Sequence, residues 1–78
     1  MTITPQAVQT FTVCVQNTGY EVSLELHKIY PVLSDEDASR HGLVRVVDES
    51  GEDYLYPETL FVPIEPSEQL KRALLHAA

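Results

Sequence analysis

The sequence predicts a mainly β domain: a small five-stranded barrel followed by a short C-terminal α-helix. Three observations carry that expectation. Short alternating or β-branched runs recur at close spacing, turn residues (Asn, Gly, Ser, Pro) close each of them, and only after Pro66 do leucine and alanine fall at helical spacing. At 78 residues the chain holds one domain, whose core supplies only about 3 to 5 kcal/mol unaided. A deep catalytic cleft is hard to build on that scale.

Residues 1–9 carry Pro5 and small polar residues without periodicity and read as a flexible arm. From Thr10 the segment TFTVCVQ alternates, with Phe11, Val13 and Val15 on one face and Thr12, Cys14 and Gln16 on the other, as in a half-buried strand. Asn17 to Gly19 stops it. Tyr20, Val22, Leu24 and Leu26 continue an alternation that breaks between Leu26 and Ile29, so this stretch is expected to be a long folded-back loop or ragged hairpin. Ile29 to Leu33 forms the second strand, on an edge or bulged because Pro31 has no ladder donor. Ser34 to Gly42 reads as a single helical turn or a polar loop, with Ser34 as a candidate N-cap. Leu43 to Asp48 is a dense β-branched strand. Gly51 then supplies the left-handed residue of a type I turn with a glycine bulge, and Asp53 to Tyr56 is the returning strand. PETL turns the chain into a last strand, Phe61 to Glu65, marked as an edge by Pro63. Ser67 caps a helix whose Leu70, Ala73, Leu74 and Ala77 share one narrow face. No repeat or linker divides the chain, so the barrel is expected over 10–65 and the helix over 66–78.

Five Lys and Arg against twelve Asp and Glu give a net charge of −7. Such a surface repels phosphate backbones and anionic lipids, which argues against nucleic-acid and membrane partners. The five cations are dispersed, and only Lys71 and Arg72 adjoin. No apolar run approaches the roughly 20 residues that span a bilayer, and Met1 to Thr10 lacks a signal-peptide pattern, which together suggest a cytoplasmic protein. Lone Cys14 excludes an internal disulfide and any paired-cysteine zinc motif.

The layout of five short strands, a long first loop, a polar second loop, a tight hairpin and a proline-bearing turn describes a small SH3-like barrel. The segment YLYPETLFVPI resembles the SH3 stretch that leads from the fourth strand through a short turn into the fifth. It departs by one residue: Leu60 stands three after Pro57, where that family has its ligand-binding tyrosine, and Phe61 stands where it has valine. The peptide-gripping tryptophan and the ALYDY motif are missing, so the resemblance implies topology and not ligand type. Separately, VRVVDESGEDYLYP with FVPIE resembles a group of short uncharacterised bacterial proteins over about residues 10 to 65, and that likeness implies no activity.

The chemistry-bearing residues concentrate at 46–64. Asp48, Glu49, Glu52 and Asp53 surround Gly51. A calcium loop needs six to eight oxygens wrapped around the ion, and a short hairpin whose residues alternate between faces supplies too few, so Asp48, Glu52 and Asp53 are only distant metal candidates. A solvated tip that discourages edge aggregation is the plainer expectation. Asp48 and Asp53 as an acid/base pair lack a pocket. Cys14 with His27, His41 or His76 lacks an electropositive surround for a thiolate, and the three histidines lack zinc spacing.

Besides Phe11 of the first strand, the aromatic residues are Tyr20, Tyr30, Tyr54, Tyr56 and Phe61. Tyr54 and Tyr56 share a face by alternation, with Leu55 opposite. Either they stand outside beside Pro57 as a peptide-binding surface, or they are core with hydroxyls at the rim; the two readings stay open, with the buried one preferred. Leu70 and Leu74 must bury on the barrel or on a partner. The expectation is a non-enzymatic module with no cofactor that binds another protein through Tyr54, Tyr56, Pro57, Phe61, Leu70 and Leu74. The alternative is a regulatory domain holding a metal or small ligand at the acidic hairpin, 48–53.

Overall fold

Alternation and turn chemistry resolve into five strands. In the computed structural model, which describes residues 8–75, these are β1 (Val8–Cys14), β2 (Ile29–Leu33), β3 (Leu43–Val47), β4 (Asp53–Pro57) and β5 (Phe61–Ile64). A short helix, α1 (Glu36–Arg40), links β2 to β3, a 3₁₀ turn over Glu58–Leu60 links β4 to β5, and α2 (Glu68–Leu75) closes the described chain. The protein is mainly β with a short C-terminal helix, as expected. The arm expected over 1–9 falls outside the described residues up to Ala7, and Val8 and Gln9 already belong to β1. Ala77 and His76 also lie outside them.

All pairings are antiparallel in one sheet of order β4-β3-β2-β1-β5. In a flat sheet, four inter-strand steps of about 4.8 Å would hold β4 and β5 roughly 19 Å apart. Yet three residues of 3₁₀ turn join them, and the rings of Tyr56 on β4 and Phe61 on β5 lie 6.2 Å apart edge to face. The sheet is therefore coiled around a single core that takes Cys14 from β1, Tyr30 and Val32 from β2, Val46 from β3, Tyr56 from β4 and Phe61 from β5. Leu60 of the 3₁₀ turn and Leu24 of the first loop complete it.

The prolines obey one rule. Bonds from the Asp48 amide to the Glu52 carbonyl and from the Glu58 amide to the Gly42 carbonyl mark the even-numbered positions of β3 as hydrogen-bonded pairs. Pro57, paired with Leu43, falls between them and directs its donorless nitrogen outward. The Val15 amide on the Leu60 carbonyl sets the same phase on β5, so Pro63, opposite Thr12, also faces out. Pro31 was expected on an edge or bulge, but β2 is central. The position is tolerated because β3 pairs only with Val32 and Leu33, which leaves the Pro31 nitrogen no neighbour to address on that side. The bulge lies instead in β1, between Val8 and Thr10.

Two further expectations change. On β1, expected to be half-buried with Phe11 and Val13 opposite Cys14, it is Thr12 and Cys14 that face the central core, paired with Tyr30 and Phe61. Phe11 is also buried, on the outer face, where it lines an open depression of about 220 Å³ with Thr10, Glu65, Pro66 and Lys71. Both faces of this central strand are covered, so alternation could not tell them apart. The N-cap of α1 is Asp35, one residue after Ser34: the Asp35 carboxylate accepts the Ala38 amide at 3.0 Å while its other oxygen accepts Arg45 Nε at 2.8 Å.

The loop between β1 and β2 is folded back, as expected. The Tyr20 amide donates to Asn17, the Leu24 amide to Tyr20, and the Asn17 side chain to the Leu24 carbonyl at 2.9 Å. These bonds drive Leu24 into the core, 1 % exposed, and leave Val22 at the tip 95 % exposed. His27 closes the loop at φ 66°, the left-handed region, and its amide donates to the Cys14 carbonyl at 2.7 Å. Leu24 is thus a core residue supplied by a loop. Leu24→Ala is expected to cost about 2 to 4 kcal/mol in urea unfolding, as a strand residue would, while Val22→Ala two residues away leaves the midpoint unchanged. Equal small effects at both positions would contradict this placement.

Candidate functional site

The β3–β4 hairpin begins as its sequence dictates. Asp48 opens a type I turn that the Gly51 amide closes on the Asp48 carbonyl, and Gly51 takes φ 82°. The Asp48 side chain turns inward. One oxygen accepts the Ser50 amide and hydroxyl at 2.9 and 2.5 Å, and the other accepts the Tyr56 hydroxyl at 2.6 Å. The residue is only 6 % exposed. Burial pushes the Asp48 carboxyl up, but the Ser50 and Tyr56 hydrogen bonds outweigh it and hold the group below its ordinary value.

Glu49 fastens the first loop to the same tip. Its amide donates to the Ser23 carbonyl, its carboxylate lies 2.7 Å from Lys28 Nζ, and it accepts the Tyr30 hydroxyl at 2.5 Å. Tyr30 in turn accepts the Glu25 amide at 2.8 Å. The Lys28 and Tyr30 bonds hold Glu49 below the usual carboxylate range, whereas burial and then Glu49 itself drive the Tyr30 phenol strongly upward. On the outer face, Arg45 bridges Asp53 at 2.9 Å and Asp35 at 2.8 Å, tying β3 to β4 and to the cap of α1.

Of the four tip carboxylates, only Glu52 has no structural partner beyond the Tyr54 hydroxyl, at 3.2 Å. Asp48, Glu52 and Asp53 are not gathered about one point, and among the described residues no three His, Cys, Asp or Glu side chains are arranged to hold a metal ion. Cys14 is fully buried, its thiol directed to the Gln16 carbonyl, and burial pushes it up. That is the wrong direction for a nucleophile.

Of the residues expected to bind a partner, the structure keeps some at the surface and buries others. Tyr56 and Phe61 are 5 % and 7 % exposed and belong to the core: for Tyr56 this is the preferred of the two readings, while Phe61, expected to face a partner, is corrected to a core residue. The cause is the coil of the sheet: the inner face of β4 meets the inner face of β5, and Tyr20 packs edge-on against Tyr56 at 5.3 Å between centroids. Tyr54 shares that face but lies at its open end, about half exposed, and Leu55 is exposed on the outer face. Pro57 is half-buried. Leu70 is exposed and Leu74 half-buried, and no side chain of α2 is fully buried.

Leu70 lines a shallow depression along α2 with Ser67, Gln69 and Ala73, and a further concave surface, which the sequence did not reveal, lies across β3 and β5. Leu43 and Val44 of β3, Glu58 and Thr59 of the 3₁₀ turn, Phe61 and Pro63 of β5, and Ser39 of α1 line a depression of about 390 Å³. Its floor is apolar, and of the expected binding residues only Phe61, largely buried, contributes to it. Nothing in local spacing marks it, because it forms only when the coiled sheet brings β3 beside β5. Among the described residues no helix is long and apolar enough to cross a membrane. Compared with known protein families, curated proteins and solved structures, the chain matches none.

Removing the hairpin anchor should be costly. Asp48→Ala is expected to lower stability by about 2 to 4 kcal/mol and Tyr56→Phe by about 1.5 to 3 kcal/mol, because each strands a buried polar partner. Chemical denaturation of both variants and of the double variant checks this, with the double less than additive. The lowered carboxyls also fix the acid response. The folded value of Glu49 lies below its ordinary 4.5, so its contribution is complete above that pH and disappears as pH falls toward the folded value. Unfolding followed between pH 6 and 2 should show a shallower loss for Glu49→Gln than for the native chain; parallel curves would contradict it.

Proposed function

We propose that this chain is a non-catalytic cytoplasmic module that works by protein contact, with the groove between α1, β3 and the 3₁₀ turn as its principal surface. The observation that carries this reading is the apolar lining of Leu43, Val44, Pro63 and the largely buried Phe61, which no other part of the described chain covers. The strand order and the 3₁₀ turn before the last strand support an SH3-like arrangement, in which such a surface receives a partner's extended segment. The missing tryptophan argues for a partner chemistry other than that family's.

The buried thiol and the structurally committed carboxylates speak against an enzyme. They equally weaken the alternative of a metal or small ligand at 48–53. The cations speak against nucleic acid: Lys28, Arg40, Arg45 and Arg72 each lie in an ion pair with a carboxylate, in a chain of net charge −7. Thr59 is exposed at the groove mouth, so Thr59→Arg obstructs the groove without touching the core. Affinity capture from cell extract followed by mass spectrometry should recover defined proteins on the native chain, at least about tenfold depleted on Thr59→Arg and unchanged on a chain lacking 67–78. Recovery indifferent to Thr59→Arg, or lost on removing 67–78, would move the contact surface elsewhere.

A further inference from the structure

We infer that the outer edge of β4 is a strand-addition site for an extended segment of another protein bearing a lysine or arginine at each end. The inference rests on the protein-contact reading and adds a second surface and the chemistry of its occupant.

The ladder phase decides which edge is receptive. Asp48 with Glu52 and Gly42 with Glu58 are the bonded ends of the β3–β4 ladder, so the intervening bonded pairs are Val46 with Tyr54 and Val44 with Tyr56. Asp53 and Leu55 therefore turn both amide and carbonyl away from β3, and among the described residues no segment pairs with them. The other edge is closed to this use. On β5 the outward positions are Phe61 and Pro63. The Phe61 amide is already given to the Glu58 carbonyl, and Pro63 has no amide, so that edge offers no donor. Edge strands usually carry a lysine, a bulge or a central proline that deters pairing. β4 carries none of these, since its proline stands at the far end and Asp53 is neutralised by Arg45.

The side chains flanking the edge fit a guest strand. Tyr54 on the inner face and Leu55 on the outer face are 48 % and 43 % exposed, so an added strand meets apolar surface on both sides. Glu52 precedes the strand and Glu58 follows it, and among the described residues neither has a cation within ion-pair distance. Six residue steps of about 3.3 Å place them roughly 20 Å apart, so a seven-residue extended segment with a cation at each end spans them. Charge also excludes the simplest other occupant: a second copy would bring another −7 against the same edge.

The probe is the peptide Lys-Val-Thr-Val-Thr-Val-Lys, titrated into the full chain and followed by amide shifts and hydrogen exchange. The Leu55 amide should exchange rapidly in the free protein and slow on binding. N-methylation of the central valine, or replacement of both lysines by glutamate, should weaken binding at least about tenfold. Leu55→Pro removes the outward donor at a position where the β3 ladder does not use it, and should abolish binding with the fold intact. Glu52→Lys with Glu58→Lys should reverse the preference toward the glutamate-ended peptide. Protection of Leu55 in the free protein, equal binding by Leu55→Pro, or no binding at all would overturn the inference. So would shifts confined to Leu43, Val44, Thr59 and Phe61, and in that case the protein-contact reading stands through the groove alone.

Discussion

The buried carboxylate of Asp48 is the interaction on which the rest of the molecule depends. A charge taken out of water is costly unless its oxygens are filled, and here they accept three hydrogen bonds, from the Ser50 amide and hydroxyl and from the Tyr56 hydroxyl. Those bonds do two things at once. They fix the turn that sets the β3–β4 register, and they hold the Tyr56 ring where it can meet both Tyr20 of the long loop and Phe61 of β5. Hairpin geometry and core packing are thereby made to agree. The adjacent Glu49 extends the same logic outward, gathering Lys28, Tyr30 and Ser23 so that the loop between β1 and β2 is tied to the hairpin tip.

This changes the meaning of the acidic tip. Four carboxylates around a glycine suggest either a ligand site or a solvated end, and neither describes three of them. Asp48, Glu49 and Asp53 hold the fold, through the core, the loop and Arg45 respectively. Negative charge is left uncommitted at Glu52 and Glu58, at the two ends of an open strand edge, and beside an apolar groove. Function, on this reading, uses what the fold does not.

Much of the architecture was legible because it is written in local chemistry. Gly51 after an aspartate-led turn, the broken alternation at Leu26, the density of Leu43 to Val47 and the Ser67 cap each have a reason confined to a few residues, and each holds, the Leu70 amide reaching Ser67 Oγ at 3.2 Å. What escaped depends on the coil of the sheet. The burial of Phe61, the core role of Cys14 and the groove between β3 and β5 follow from inner faces that meet in space on strands lying apart in sheet order. Asp48 was half legible: aspartate at the head of a type I turn commonly accepts the amide two residues on, but nothing near it in sequence announces Tyr56 as its partner. The cap was expected at Ser34, whereas Asp35 takes it, its second oxygen held by Arg45 ten residues on.

The pairing of β1 with β5 bears on how the chain reaches this state. Every other ladder joins strands that follow one another in sequence, whereas the Thr10 hydroxyl and the Ile64 carbonyl meet across 54 residues. Loop-closure entropy makes such a contact the slowest to initiate, while the run from β2 to β4 assembles from neighbours. Folding should accordingly nucleate in that meander, with the two flanking strands docking last. A permuted chain that joined the existing ends and opened at the tip of the first loop, near Val22, would turn the slowest contact into a local one.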